Sequence, residues 1–200
     1  MMFRIADALR QRWWRVAVPV WLRLQGVTLR GRITAQGYPI VSMAKGSIID
    51  IAGGVTLCSL SRYTALGVAR PVILRTLRAN ARIKIDENVG MSGAVVCAAE
   101  SVEIGAECLL GADVMIFDTD FHALAPEGRR FCNDPLKIAS APVRIGRNVF
   151  VGARSIIMKG VTIGENAVVG AGSVVACDIP ANCVVAGNPL RVVRQLTVGR

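Results

Sequence analysis

The 200-residue chain predicts an all-β fold: stacked three-sided coils of parallel β-strand forming a prism, with a short N-terminal amphipathic helix and one extended loop. Three observations carry this. From residue 85 an aliphatic residue recurs every six positions. An Asn or Gly often stands three residues after it. The chain is 52% hydrophobic yet only 5% aromatic, so its interior is built from many small aliphatic side chains. Neither a 3.6-residue helical period nor plain two-residue alternation produces a strict six.

The repeat is cleanest in Ile145-Gly146, Val151-Gly152, Ile157, Ile163-Gly164, Val169-Gly170 and Val175-Ala176. An earlier block runs Ile85, Met91, Cys97, Ile104-Gly105, Leu110-Gly111 and Ile116, with one extra residue near Glu103. Asn88, Asn148, Gly160, Asn166 and Gly172 are types that tolerate positive φ at a corner. One position further, Val89, Val95, Ser101, Val149, Ser155, Val161, Ala167 and Ser173 suit a narrow interior. Each hexad is then a short strand and a corner, and three close one coil. The twelve clear hexads make four coils, about 19 Å tall at about 4.8 Å per layer. Fainter copies in residues 26–66 (Ile51-Ala52, Leu57-Cys58) suggest irregular earlier coils. This divides the chain into an N-terminal segment 1–25, a β-helix 26–180 with loop 122–144 inserted, and a tail 181–200. The N-terminal segment and the tail are the covers expected for the open end layers.

Charge is asymmetric. Residues 1–84 hold 14 basic and 2 acidic side chains, whereas residues 85–200 hold 10 and 12. Met1 to Val18 reads as a basic helix: Ile5, Leu9, Trp13, Val16 and Val20 share one stripe, Arg4, Arg10, Arg12 and Arg15 occupy the rest, and Pro19 stops or kinks it. Its apolar run, Val16 to Leu22, is well below the about 20 residues of a membrane span. Arginines throughout and no small-residue cleavage site argue against a signal peptide. Two roles stay open: a cap on the fold, or a helix lying on an anionic bilayer through Trp13, Trp14 and Trp21. No nucleic-acid-binding motif accompanies the charge. The six cysteines (Cys58, Cys97, Cys108, Cys132, Cys177 and Cys183) lack paired spacing and read as reduced core thiols of a cytoplasmic protein.

The repeat breaks after Asp118-Thr119-Asp120-Phe121 and resumes at Ile145. The 23 residues between, His122 to Arg144, are rich in Pro, charge and turn formers, and a loop of that length on a rigid frame is commonly functional. His122, the single histidine, stands at its root. A neutral imidazole suits proton removal from an alcohol near pH 7.

Asp118-Thr119-Asp120-Phe121-His122, the coils Ile145 to Ala176, and Ala186-Gly187-Asn188-Pro189-Leu190-Arg191-Val192-Val193-Arg194 resemble the hexapeptide-repeat, left-handed β-helix acyltransferase family. The resemblance covers about residues 85–196 and lies with the galactoside, maltose and xenobiotic acetyltransferases and the polysaccharide O-acetyltransferases. It implies left-handed coils, a homotrimer with active sites between subunits, and direct acetyl transfer from acetyl-CoA to a saccharide hydroxyl without a metal. His122 would be the general base. The Ala153 amide would face the thioester oxygen, an effect worth about 10²–10³ in rate. Ala171 and Ala176 would line the cofactor channel, Phe150 holds a position often aromatic in the family, and Arg191 and Arg194 would meet the cofactor phosphates. The chain departs from the family at Ala176-Cys177, where a hydroxyl and a lysine are common. Ser92 either hydrogen-bonds the acceptor or fills a corner. Asp118 and Asp120 either bind acceptor hydroxyls or orient the loop.

A metalloenzyme with three histidine ligands is excluded by the single histidine. Two rivals stay open: N-acylation of an amino sugar, and a non-catalytic trimeric scaffold. The expected setting is cell-surface polysaccharide biosynthesis, with cytoplasmic enzyme at the inner face of the membrane and a lipid-linked acceptor.

Overall fold

The computed structural model describes residues 2–132 and 134–197, with side chains from residue 7; Met1 and the side chains of Arg4 and Ile5 lie outside this description. After the helix Met2–Leu24, the chain winds into a left-handed parallel β-helix with three faces. The first face stacks Thr28–Leu29, Ile48–Ile51, Arg82–Ile85, Ser101–Ile104, Val143–Ile145 and Thr162–Ile163. The second stacks Thr34–Gln36, Thr56–Cys58, Gly90–Ser92, Leu109–Leu110, Phe150–Val151, Val168–Val169 and Cys183–Ala186, then adds Arg191–Gln195 antiparallel. The third stacks Ile40–Ser42, Ile73–Thr76, Val95–Ala98, Met115–Phe117, Ile156–Ile157 and Val174–Val175. The faint early hexads therefore join the same three ladders despite their irregular spacing, and there are six coils, about 29 Å at about 4.8 Å each.

Within the prism each face sends columns of aliphatic side chains inward. Ile51, Ile85, Ile104, Ile145 and Ile163 stack from the first face. Leu57, Met91, Leu110, Val151, Val169 and Val185 come from the second. Leu74, Val96, Ile116, Ile157 and Val175 come from the third. All are buried. A parallel ladder in register brings like residues directly above one another, which is why the six-residue period is so strict.

Corners behave as the spacing requires. Asn88, Asn148 and Asn166 have φ of 60°, 54° and 57°. They also form a ladder: the amide of Asn148 donates to Asn166 and that of Asn166 to Asn182, both at 2.9 Å. The phase departs from the hexad in one coil. Val96, not Cys97, points inward, and Val95 and Ser101 stand half-buried outside while Ala94 and Val102 fill the interior. The reason is a short corner at Gly93, φ 57°, where an added Cβ would lie 2.8 Å from both Asp113 and Val68.

Pro19 does not end the helix, which runs to Leu24. Val18 and Leu22 are fully buried on the first coil, and each such side chain contributes about 1.5–3 kcal/mol, enough to offset the bond that proline removes. Trp14 packs edge-on against Tyr63 at 5.6 Å and Trp21 against Tyr38 at 5.8 Å. The seated stripe is thus Trp14, Val18 and Leu22, and the stripe expected from periodicity faces outward.

Cys58, Cys97, Cys108 and Cys183 are buried, whereas Cys132 is half-buried and Cys177 exposed, so the last two are not core thiols. Burial pushes the Cys97 and Cys108 thiols up to about 11. Iodoacetamide at pH 8 is expected to alkylate Cys177 in the folded protein and to reach the four buried thiols only after unfolding, as peptide mass spectrometry will read directly.

Candidate active site

The long loop leaves the prism at the edge between the third and first faces, after Met115–Phe117, and returns at Val143–Ile145. Both its ends are clamped. Asp118 is fully buried and its carboxylate accepts the backbone N–H groups of Ala99 at 2.6 Å and of Glu100 and Ser101 at 2.7 Å. The Asp120 N–H donates to Ala139 O at 3.0 Å, and the Ala141 N–H to Asp118 O at 2.9 Å. Lys159 pairs with one oxygen of Asp120 at 3.0 Å, and the other oxygen is buried without a hydrogen-bond partner among the described residues. Arg78 donates to Ser140 Oγ and Ile138 O, both at 3.1 Å. Of the two roles considered for Asp118, this geometry fits orientation of the loop, because both its oxygens are occupied by backbone donors.

Phe121 follows with φ 62°, a left-handed conformation costing a bulky residue about 1–2 kcal/mol. Its ring lies 5.4 Å from that of Phe117. The turn delivers His122 to the surface, exposed, between two depressions. One, of about 450 Å³, is bounded by Leu77, Arg78 and Phe121; the other, of about 730 Å³, by Pro126, Arg129, Arg130 and Phe131.

A second feature runs along the edge between the second and third faces. Ala112, Ala153 and Ala171 stand on successive coils: the Arg154 N–H donates to Ala112 O at 2.8 Å and the Gly172 N–H to Ala153 O at 2.9 Å. Their small side chains leave a groove of about 420 Å³. The coils approach so closely that a Cβ on Gly111 would lie 2.6 Å from the Ala153 amide nitrogen. Leu66 and Gly67 form one wall. Asp113, buried, fastens that segment by accepting the Ala69 N–H at 2.9 and 3.2 Å.

Arg154 also lines the groove, and sequence reasoning missed it. Its signal was present: it occupies the corner position that holds Asn or Gly on other coils, and it sits there at φ 59°. A guanidinium in a strained corner beside an open groove suits an anionic ligand.

The remaining expected residues fall as follows. Arg191 pairs with Ala186 beside the upper end of the groove edge, and Arg194 pairs with Val184 further along; both are exposed. Phe150 is exposed on the outer second face, in register with Leu109 and Val168. Ser92 is half-buried at the end of its strand, next to the same edge. Ala176 follows Val174–Val175 at the opposite edge, away from the groove. One chain therefore gathers Ala153, Ala171 and Arg191 along one edge and puts His122 on another, with the whole third face between them.

Residues 142–177 match the model of the hexapeptide repeat of succinyl-transferase. The galactoside O-acetyltransferase of Escherichia coli (strain K12) is 40% identical over 99 residues, 48% of this chain and 45% of that protein. Nodulation protein L of Rhizobium meliloti (strain 1021) is 45% identical over 98 residues, 49% of this chain and 51% of that protein. The chain thus spans about half the length of these curated relatives. The D94A mutant of AntD, an N-acyltransferase from Bacillus cereus in complex with dTDP and coenzyme A, superposes with a TM-score of 0.69 at 17% identity, covering 90% of this chain and 89% of that one. That likeness is one of fold. Residues 142–177 thus match a hexapeptide repeat, and over about half of its length the chain is similar to acetyltransferases.

Replacing Asp118 with Asn keeps the shape but exchanges an acceptor for a donor facing backbone N–H groups. A destabilisation of about 1–3 kcal/mol is expected, read by urea denaturation. Faster tryptic cleavage at the exposed Arg129 and Arg130 would accompany it.

Proposed function

We propose that this protein is an acetyl-CoA-dependent O-acetyltransferase acting on a saccharide hydroxyl, with active sites completed between the subunits of a homotrimer. The observation that carries the reading is the separation just described: an exposed imidazole on one edge of the prism, a small-residue groove on another, and an apolar face between. Ile40, Ile73, Val95, Met115, Ile156 and Val174 form a single outward row on that third face. The corresponding row of the first face is Thr28, Asp50, Lys84, Glu103, Arg144 and Thr162. Turning the third faces toward a threefold axis would bury the apolar row. It would also bring His122 of each subunit to the Ala153 groove of its neighbour.

In such a site His122 takes the proton of the acceptor hydroxyl as the oxygen attacks the thioester carbonyl carbon. The Ala153 N–H steadies the negative oxygen of the tetrahedral intermediate. When the carbon–sulfur bond breaks, the imidazolium returns its proton to the sulfur, giving the acetyl ester and free coenzyme A. The pantetheine arm lies past Ala171, and Arg154, Arg191 and Arg194 meet the phosphates. Ala176 takes no part in this arrangement within one chain, since it lies on the other edge. Ser92 and Asp120 border the acceptor. We assign the acceptor to the lipid-linked precursors or repeat units of cell-surface polysaccharide, at the cytoplasmic face of the membrane. Oxygen is preferred to nitrogen as the nucleophile because the 40% identity to an O-acetyltransferase runs over 99 residues, whereas the matches to N-acetyltransferases, at 49% and 51% identity, run over 57 and 59 residues.

His122→Ala is expected to lower acetyl-CoA consumption with a panel of sugars by about 10²–10⁴; full turnover in the variant would remove the general-base role. An amino sugar consumed in preference to the neutral sugars would transfer the reading to N-acylation. No turnover of any sugar, with no affinity for coenzyme A, would leave a scaffold. A second measurement addresses the shared site. His122→Ala and Ala171→Trp, each inactive alone, should recover part of the activity when their subunits are dissociated and reassembled together. A site contained within one chain would stay inactive.

A further inference from the structure

The N-terminal helix carries two apolar stripes on opposite sides, and the β-helix uses only one. Trp14, Val18 and Leu22 are seated on the first coil. On the far side Leu9, Trp13, Val16, Val20 and Leu24, spaced four, three, four and four residues apart, are 63, 63, 66, 50 and 79% exposed. Five large side chains left in water on a single helix face exceed the scattered exposure of an ordinary surface.

Charge says what covers them. Arg10 flanks the stripe on one side and Arg12, Arg15 and Arg23 on the other, all exposed. The helix has one acid, Asp7, and it is turned away, accepting from the Tyr63 hydroxyl and, at 3.4 Å, from Gln11. Beside the stripe a groove of about 850 Å³ runs between the helix and the first coil. Val16, Pro19, Val20 and Ile33 line it, along with Arg15, Arg23, Arg30 and Arg32. Arg30 is held in place by both oxygens of Asp50. An apolar band with a tryptophan, edged by the guanidinium groups of Arg10, Arg12, Arg15 and Arg23, complements the boundary between acyl chains and anionic headgroups. A second copy of the same face would bring arginine against arginine.

We propose that the outward face of the helix, with the arginine-lined groove beside it, docks the protein on an anionic phospholipid bilayer. The stripe enters the headgroup–acyl boundary and the groove takes lipid phosphates. The proposal deepens the reading of a lipid-borne acceptor and rests on it for its purpose, but the surface itself does not depend on catalysis. Cyclic symmetry would put all three helices at one end of the trimer, facing one plane, so that three weak contacts act together.

The test uses full-length protein and co-sedimentation with vesicles of phosphatidylcholine alone or mixed with phosphatidylglycerol. Binding to the mixed vesicles is expected, with little to the neutral ones. Trp13→Gln/Val20→Gln and Arg15→Gln/Arg23→Gln should each weaken it about tenfold or more, while turnover of a soluble sugar stays at the wild-type value. Equal binding by wild type and both variants, or equal binding to neutral vesicles, overturns the proposal. Glycerol phosphate that displaces the protein from vesicles at millimolar concentration would make the groove a small-anion site and overturn it too. His122→Ala must bind vesicles like wild type, so a failed catalytic reading and a failed docking surface give different results.

Discussion

The distance between successive coils, about 4.8 Å, is the constraint on which everything else in this molecule depends. A parallel ladder at that pitch brings each residue against its counterpart one coil above. Inside, only stacked aliphatic side chains fill the narrow triangular space, as Ile51, Ile85, Ile104, Ile145 and Ile163 do. At the corners only side chains that accept a left-handed backbone, or none at all, fit between layers. The Asn148–Asn166–Asn182 ladder turns this restriction into a column of hydrogen bonds.

Function grows where that regularity is relaxed. The small residues Ala112, Ala153 and Ala171 leave a groove, and beside them the coils approach so closely that Gly111 and Gly152 have no room for a Cβ. The loop at the third–first edge departs from the ladder altogether, yet its root is as rigid as the coils, since Asp118 is bound by three backbone donors. An exposed imidazole on a fixed base, and a groove walled by backbone, are the two parts on which the proposed acyl transfer rests. The rigidity of the prism holds both, and it also holds them apart within one chain.

Much of this was legible in the sequence. The period of six, the corner asparagines and glycines, and the loop with His122 at its root required no coordinates. The early coils were harder to see because Gly31, Gly37 and the Ser61–Tyr63 turn interrupt the hexads while the ladder itself continues. Cys97 was misplaced because hexad counting assumes equal corners, and the corner at Gly93 is one residue short. Arg154 was passed over although a corner of the wrong residue type was itself the sign.

The helix draws the line most clearly. Its sequence determined that two apolar stripes and a surplus of arginine would exist, since helical periodicity alone brings Leu9, Trp13, Val16 and Val20 to one side and Trp14, Val18 and Leu22 to the other. Which stripe meets the protein was decided by tertiary structure, where Tyr38 and Tyr63 stand at the positions that receive Trp21 and Trp14. The same holds for the parts of the candidate site. Local sequence sets the chemistry of His122 and the smallness of Ala153, but the edge of the prism each occupies follows from the winding of the chain, because the strand and corner before each residue decide which edge it reaches.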